Sequence, residues 1–127
     1  MDLGADISRT NINADLVEKN ASININALFS SRKKLHIDNQ IMIKHLAEEC
    51  FSSMDYRGII RDNSTGVFGG TVYVDKNAQK TQSDMTNRNL LLSDNARINT
   101  KPVLEIYNED VQCSHRDRKS TRLNSSH

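Results

Sequence analysis

The sequence has little of what several familiar protein classes require. It has no tryptophan, one proline and two cysteines among 127 residues, and only 5% of the residues are aromatic. Two distant cysteines, Cys50 and Cys113, cannot form the disulfide framework of a small secreted domain. No apolar run approaches the ~20 residues of a membrane-spanning helix, and Met1-Asp2 does not open a signal-peptide pattern. We therefore expect a cytoplasmic protein that does not span a membrane.

Charge is also nearly balanced, with 17 Lys and Arg against 16 Asp and Glu and a net charge of +1. This balance gives no support to binding of nucleic acid or of an anionic membrane. Four arginines lie scattered between acids along the chain, which is typical of a solvated surface: Arg57, Arg61, Arg88 and Arg97.

Short runs of apolar and polar residues alternate with a period of two, which predicts strands with one buried face. The alternating apolar pairs are Ile23 and Ile25, Ile41 and Ile43, Val72 and Val74, Leu104 and Ile106, and Val111 and Cys113. One segment, His45–Met54, carries Leu46, Cys50 and Met54 at helical spacing. Because strand patterns flank it, we expect extended or irregular chain there.

Polar corners separate these runs, and asparagine suits them because it tolerates a left-handed backbone. The predicted corners are Lys19-Asn20, Asp62-Asn63, Lys76-Asn77, Asp94-Asn95 and Glu109-Asp110. Regular corners favour a solenoid in which each coil covers the next one's apolar face, with the later corners 14, 18 and 15 residues apart. A β-sandwich has similarly spaced turns, so periodicity alone leaves both architectures open.

Cys113 and His115 are the first candidate site, because residues two apart share one face of a strand. A thiol and an imidazole on one face are suitable ligands for a soft metal or a cluster. The alternative is a buried structural cysteine beside a surface histidine.

A second group of ligand types comprises His36, Asp38, His45 and Cys50. His36 and Asp38 share a strand face, but no zinc spacing follows. We interpret the group as hydrogen-bonded structural residues. Three glycines, Gly66, Gly69 and Gly70, lack the Lys-Ser/Thr of a phosphate loop and predict corners or close approaches of coils.

Several segments together resemble the SufB/SufD core-domain family of the SUF iron–sulfur cluster assembly system. They are GVFGG (66–70), VYVDKNAQKT (72–81), NRNLLLSD (87–94), TKPVLEIY (100–107) and DVQCSH (110–115). The Cys-Ser-His form favours the SufD branch of the family. The resemblance implies an all-β, right-handed parallel β-helix, with Asp38 and His45 in the solenoid frame.

The resemblance also implies a function, that of a non-enzymatic scaffold in a SufB–SufC–SufD complex. Its partners would be a SufB-like paralogue and a SufC-like ABC ATPase, with no nucleic acid or membrane partner. Clusters would assemble at the SufB–SufD interface, where Cys113 and His115 are candidate ligands and His115 is favoured. Iron or a nascent iron–sulfur cluster would be held there only transiently, with none bound tightly by this chain alone, and the protein would also assist iron entry.

Two other functions are compatible with a β-helix: a secreted polysaccharide-acting enzyme and a purely structural solenoid. The enzyme would need paired carboxylates or a Ca²⁺ site in a groove. The corner positions of Asp62, Asp75, Asp94 and Asp110 argue against such a pair.

The chain is predicted to divide at residue 115. Residues 1–115 correspond to a core truncated at both ends, because neither of the helical regions that flank this core in the family is visible. The segment 116–127 departs from the family pattern, and DRKSTRLNSSH (117–127) resembles a translated sequencing adapter. We therefore expect 116–127 to be a non-native tail.

Overall fold

The computed structural model describes residues 6–121 as a succession of strands. The eight strands are β1 (Ile7–Leu16), β2 (Ser22–Ser31), β3 (His36–His45), β4 (Phe51–Ile60), β5 (Thr65–Val74), β6 (Thr81–Leu91), β7 (Arg97–Ile106) and β8 (Val111–Thr121). No helix occurs within this range, so none of its segments offers a helix that could span a membrane. The all-β prediction is confirmed, and His45–Met54 is extended chain interrupted by a turn.

The strands form two parallel sheets, ordered β1-β3-β5-β7 and β2-β4-β6-β8. Every strand pairs with the next but one along the chain, so one strand from each sheet makes one coil. The result is a parallel β-helix of four coils, as the family resemblance implied and periodicity alone had left undecided. Ile7 pairs with His36 and His36 with Thr65, which sets 29 residues per coil at this point.

This repeat corrects the interpretation of the corner spacing. Each coil has two corners, one at each edge of the two sheets, so the intervals of 14 to 18 residues correspond to half a coil. All five predicted corners lie between strands, but two further corners, at 32–35 and 46–50, were missed. They contain Lys and Glu rather than Asn or Gly, so no turn residue marks them in the sequence.

The backbone becomes left-handed at five of the corners, including the two that were missed. Positive φ occurs at Asn20 (64°), Lys33 (61°), Glu49 (59°), Asp62 (59°) and Lys80 (56°). Only one of the five is an asparagine. At Lys33, hydrogen bonds to the next coil compensate for the free-energy cost of the left-handed backbone. The Lys33 amide donates to Asp62 Oδ2 (2.7 Å), and the Asn63 amide of that next coil donates to the Lys33 carbonyl (2.9 Å).

The core fills the space between the two sheets. Tyr56 stacks on Phe68 with ring centroids 3.9 Å apart, and Phe29 packs against the other face of Tyr56 at 4.8 Å. Burial raises the pKa of Tyr56. The predicted inward residues Ile41, Ile43, Val72 and Val74 are all buried, whereas Ile23 and Ile25 are partly buried and pack against the core.

Burial falls sharply in the fourth coil. Leu104 and Ile106 were predicted to be buried, but they are 42% and 37% exposed. The strand prediction was correct for β7, and the burial prediction was wrong because no further coil covers this one within residues 6–121. An apolar face of a solenoid strand is buried only when both of its neighbours are present.

The three glycines lie inside β5, so they are not corners. The prediction of close approach holds: a Cβ on Gly70 would lie 2.9 Å from Met85 Sδ, and one on Gly66 would lie 2.8 Å from Ile98 Cδ1. Met85 lies across the core on β6, whereas Ile98 is the register partner of Gly66 on β7 in the next coil. In both places a neighbouring side chain occupies the space that a larger residue would need.

Residues 116–121 continue β8 and pair with β6 as far as Thr121 opposite Leu91. Their pairing does not bear on the origin of the segment, because a foreign sequence can also add to an open sheet edge. The assignment of 116–127 as a non-native tail stays a prediction, and 122–127 lie outside the described residues.

Candidate metal or cluster site

Cys113 and His115 share one face of β8, as their spacing predicted, and this face is directed toward the core. The register places Cys113 beside Ser83 and His115 beside Met85 of β6. Ser83 and Met85 are buried, whereas Cys113 and His115 are half-buried because they belong to the uncovered fourth coil. The pair therefore lies at the end of the core and is open on one side. The alternative considered in the sequence, a buried structural cysteine beside a surface histidine, differs from this position in that Cys113 and His115 are equally half-buried.

A column of buried polar side chains runs from the second coil through the third toward Cys113 in the fourth. His45 Nε2 lies 2.8 Å from Ser52 Oγ, and Ser52 Oγ lies 2.7 Å from Ser83 Oγ. His45 ends β3 and Ser52 is the second residue of β4, so the corner 46–50 brings them together across the two sheets. Ser83 is then the register partner of Cys113. Burial lowers the pKa of His45 to about 4, which keeps the imidazole neutral at physiological pH.

Electrostatics favours the protonated thiol at Cys113. Partial burial raises its pKa, and the nearby carboxylate of Asp84 raises it further. Asp84 lies on the solvent side of β6, where it accepts a hydrogen bond from Ser114 Oγ (2.7 Å). Because metals bind the thiolate, the charge of an arriving metal would have to displace the proton from Cys113.

The pair is incomplete as a metal site. No cluster of three or more His, Cys, Asp or Glu side chains forms in the described part of the chain. Asp117 is the next residue on the same face of β8, but its Oδ2 accepts a hydrogen bond from Thr100 Oγ1 (2.7 Å). Since a stable iron or cluster site needs about four ligands, the other ligands would have to come from outside residues 6–121.

The second group of ligand types is not brought together. His36 and Asp38 lie on the solvent face of β3, where His36 Nδ1 is hydrogen-bonded to Thr65 Oγ1 and Asp38 accepts from Gln40 Nε2 (2.8 Å). His45 faces the core, and Cys50 Sγ contacts the Glu18 carbonyl (3.2 Å) at a corner. All four therefore have hydrogen-bond partners, which agrees with their interpretation as structural residues.

Two features were not visible in the sequence. Ser52 and Ser83 could not be connected to Cys113, because the column depends on a register that spans about 30 residues per coil. Arg57 and Arg88 lie on the solvent face of β4 and β6, as predicted for a solvated surface, but the sequence did not show that they are direct register partners.

These features define a class of protein: a parallel β-solenoid with a thiol–imidazole pair on one face of a strand. The family model described as SUF system FeS cluster assembly, SufBD core domain, matches residues 1–120. The chain thus belongs to the SufBD core domain family.

Curated relatives agree with this membership. The iron-sulfur cluster assembly protein SufD of Escherichia coli is 37% identical over 113 residues, which are 89% of this chain and 27% of that protein. An iron-sulfur cluster assembly SufBD family protein of Synechocystis is 34% identical over 117 residues, 91% of this chain and 25% of that protein. SufD of Bacillus subtilis is 31% identical over 58 residues, 46% of this chain and 13% of that protein. The chain thus spans about a quarter of the length of the first two relatives.

Proposed function

We propose that the protein is a non-enzymatic scaffold of the SUF system that helps to assemble iron–sulfur clusters at an interface with a partner. The carrying observation is the pair Cys113 and His115 on one face of β8. Two ligands of suitable chemistry on one strand face form part of a site that further ligands can complete. Relatives named as iron-sulfur cluster assembly proteins support this role.

The proposed partners follow from the family. A SufB-like paralogue would supply the remaining ligands, and a SufC-like ABC ATPase would drive the opening and closing of the interface. Iron or a nascent cluster would be the transient cargo, and iron entry would use the same pair. The complex would work in the cytoplasm, which agrees with the absence of any disulfide between the two free cysteines Cys50 and Cys113.

Within the pair, we assign the main role to His115. A neutral imidazole can bind iron or accept a proton without first losing one, whereas the raised pKa of Cys113 opposes formation of the thiolate. Cys113 would become a ligand only after metal or partner charge lowers its pKa.

A polysaccharide-acting enzyme is not favoured. Asp62 and Asp94 lie at one edge of the sheets, and Asp75 and Asp110 lie at the other. All four lie at corners between strands, whereas glycoside hydrolysis by a β-helix would need a pair of carboxylates in a groove on a strand face.

The test uses the full-length protein with His115→Ala. We expect the variant to bind the SufB-like partner normally and to lose most of the cluster absorbance that grows on anaerobic reconstitution with iron and sulfide. Cys113→Ser should cause a smaller loss. Gln112→Ala, on the solvent side of the same strand, is the control and should behave as wild type. Full cluster assembly by His115→Ala would remove this residue from the mechanism.

A further inference from the structure

The solvent face of the sheet β2-β4-β6-β8 carries a column of arginines. Leu28, Arg57, Arg88 and Arg118 are successive register partners on this face, one per coil. Neighbouring strands lie about 4.8 Å apart, so the backbones of these residues follow one another at that interval. We refer to this surface, defined by Leu28, Arg57, Ile59, Arg88 and Leu90, as the arginine face.

Like charges at this spacing repel unless something compensates them. Asp55 supplies the compensation: its Oδ2 lies 3.2 Å from Arg57 Nη2 and 3.2 Å from Arg88 Nη2. One carboxylate oxygen thus holds two guanidinium groups, which leaves one positive charge in excess. The side chains of Arg57 and Arg88 are still 54% and 44% exposed, so most of their N–H donors face solvent.

The rest of the sheet face does not add to this excess. Its other charged residues are Asp84 and two arginines, Arg116 and Arg118, of the segment 116–127 that we predict to be non-native. Asp84 is hydrogen-bonded to the neutral side chain of Ser114. The positive charge that can attract a ligand is therefore the local excess at Arg57, Arg88 and Asp55.

Apolar side chains lie beside the arginines. Leu28 is 70% exposed and Leu90 is 37% exposed, and together with Ile59 they line a shallow groove that also contains Arg57 and Arg88. An exposed leucine next to a guanidinium group is suited to a ligand that is apolar and anionic at alternate positions.

We propose that the arginine face docks an acidic protein segment, one in which carboxylates alternate with apolar side chains. The carboxylates would form bidentate pairs with Arg57 and Arg88, and the apolar side chains would cover Leu28 and Leu90. Nucleic acid fits less well, because none of the residues that define the arginine face has an aromatic ring for base stacking. This surface lies on the opposite side of the sheet from Cys113 and His115, so the proposal goes beyond the scaffold function.

The proposal rests on Arg57 and Arg88. Arg118 continues the column but falls in the segment 116–127 that we predict to be non-native. If that prediction is correct, the first three coils still provide Leu28, Arg57 and Arg88 in register.

The test measures binding of a fluorescein-labelled peptide of Glu-Leu-Glu-Ser repeats to the full chain by fluorescence anisotropy. The same peptide with Gln in place of Glu is the ligand control. The double variant Arg57→Gln with Arg88→Gln retains hydrogen-bonding capacity toward Asp55. Lys44→Gln with Lys101→Gln, on the other sheet, removes the same charge and serves as the matched control.

We expect the acidic peptide to bind about tenfold more tightly than the Gln peptide and to lose about tenfold in affinity with the arginine double variant. The lysine double variant should stay within about twofold of wild type. Replacing both arginines by lysine should weaken binding too, because lysine keeps the charge but loses the bidentate geometry. Equal losses in the two Gln double variants, or tighter binding of a single-stranded oligonucleotide than of the peptide, would overturn the proposal.

Discussion

At the scale of single residues, the interior of this solenoid is notable for the polar groups that it contains. His45 is fully buried, and its Nδ1 has no hydrogen-bond partner. Its Nε2 reaches Ser52, which in turn reaches Ser83 below Cys113. Such a group is stable in the core only when it is neutral, because burial of an imidazolium without a counter-charge is costly.

This burial predicts a pH dependence of stability. The pKa of His45 is about 4 in the folded chain and near 6.5 when unfolded, so between these values only the unfolded chain is protonated. The contribution of the neutral His45 imidazole to the free energy of unfolding is therefore fully present above pH 6.5 and is lost as the pH falls toward 4. We expect wild type to lose about 1–2 kcal/mol more than His45→Gln between pH 7 and pH 5, measured by urea unfolding.

The control for this experiment is Ser31→Ala, which breaks the other buried hydroxyl pair, Ser31–Ser64 (2.8 Å), without removing a titratable group. It should lower the free energy of unfolding at both pH values by a similar amount. Identical pH slopes for wild type and His45→Gln would show that His45 is not the group that titrates.

Residue-scale predictions from the sequence succeeded where spacing alone decides geometry. Cys113 and His115 share a face because they are two apart on a strand, whatever else the chain does. In the segment Asn87–Leu91, by contrast, Asn87, Asn89 and Leu91 face the core while Arg88 and Leu90 face solvent. The polarity of these residues does not predict which of them face the core. That assignment is what places Arg88 on the solvent face beside Arg57.

At the scale of elements, strands were predictable and corners only in part. Alternation marks a strand directly, since one face is buried. A corner is marked only if it uses residues with turn propensity, and the corner 32–35 places Lys33 in the left-handed region instead. The register with the next coil supplies what the local sequence lacks, because the Lys33 amide is bonded to Asp62 one coil further on.

This corner offers a matched pair of substitutions. Lys33→Gly relieves the cost of a left-handed backbone at a side chain that is exposed, and we expect stabilisation of up to about 1 kcal/mol. Lys34→Gly, one residue later with an ordinary φ, should destabilise by about 0.5–1 kcal/mol because glycine gains more backbone freedom on unfolding. Thermal unfolding of both variants beside wild type measures the difference, and an effect of the same sign in both would contradict it.

At the scale of the whole molecule, the four coils are unequal. Inward residues of β3 to β6 are covered by a coil on both sides, whereas β1 has one buried residue and β7 and β8 have none. The family resemblance predicted the parallel β-helix, but neither it nor the alternation showed which coil would be uncovered. Which coil is uncovered depends on how many coils are present. Leu104 therefore lies at a position with the alternation pattern of a core residue but is 42% exposed.

Unequal coverage predicts unequal local stability, because a solenoid is held together by contacts between neighbouring coils. We expect amides in β3 to β6 to exchange with solvent deuterium at least about tenfold more slowly than those in β1 and β7, after correction for intrinsic rates. The candidate site on β8 should exchange quickly in the chain alone. Uniform protection of all eight strands in the free chain would contradict this gradient and indicate a single cooperative unit.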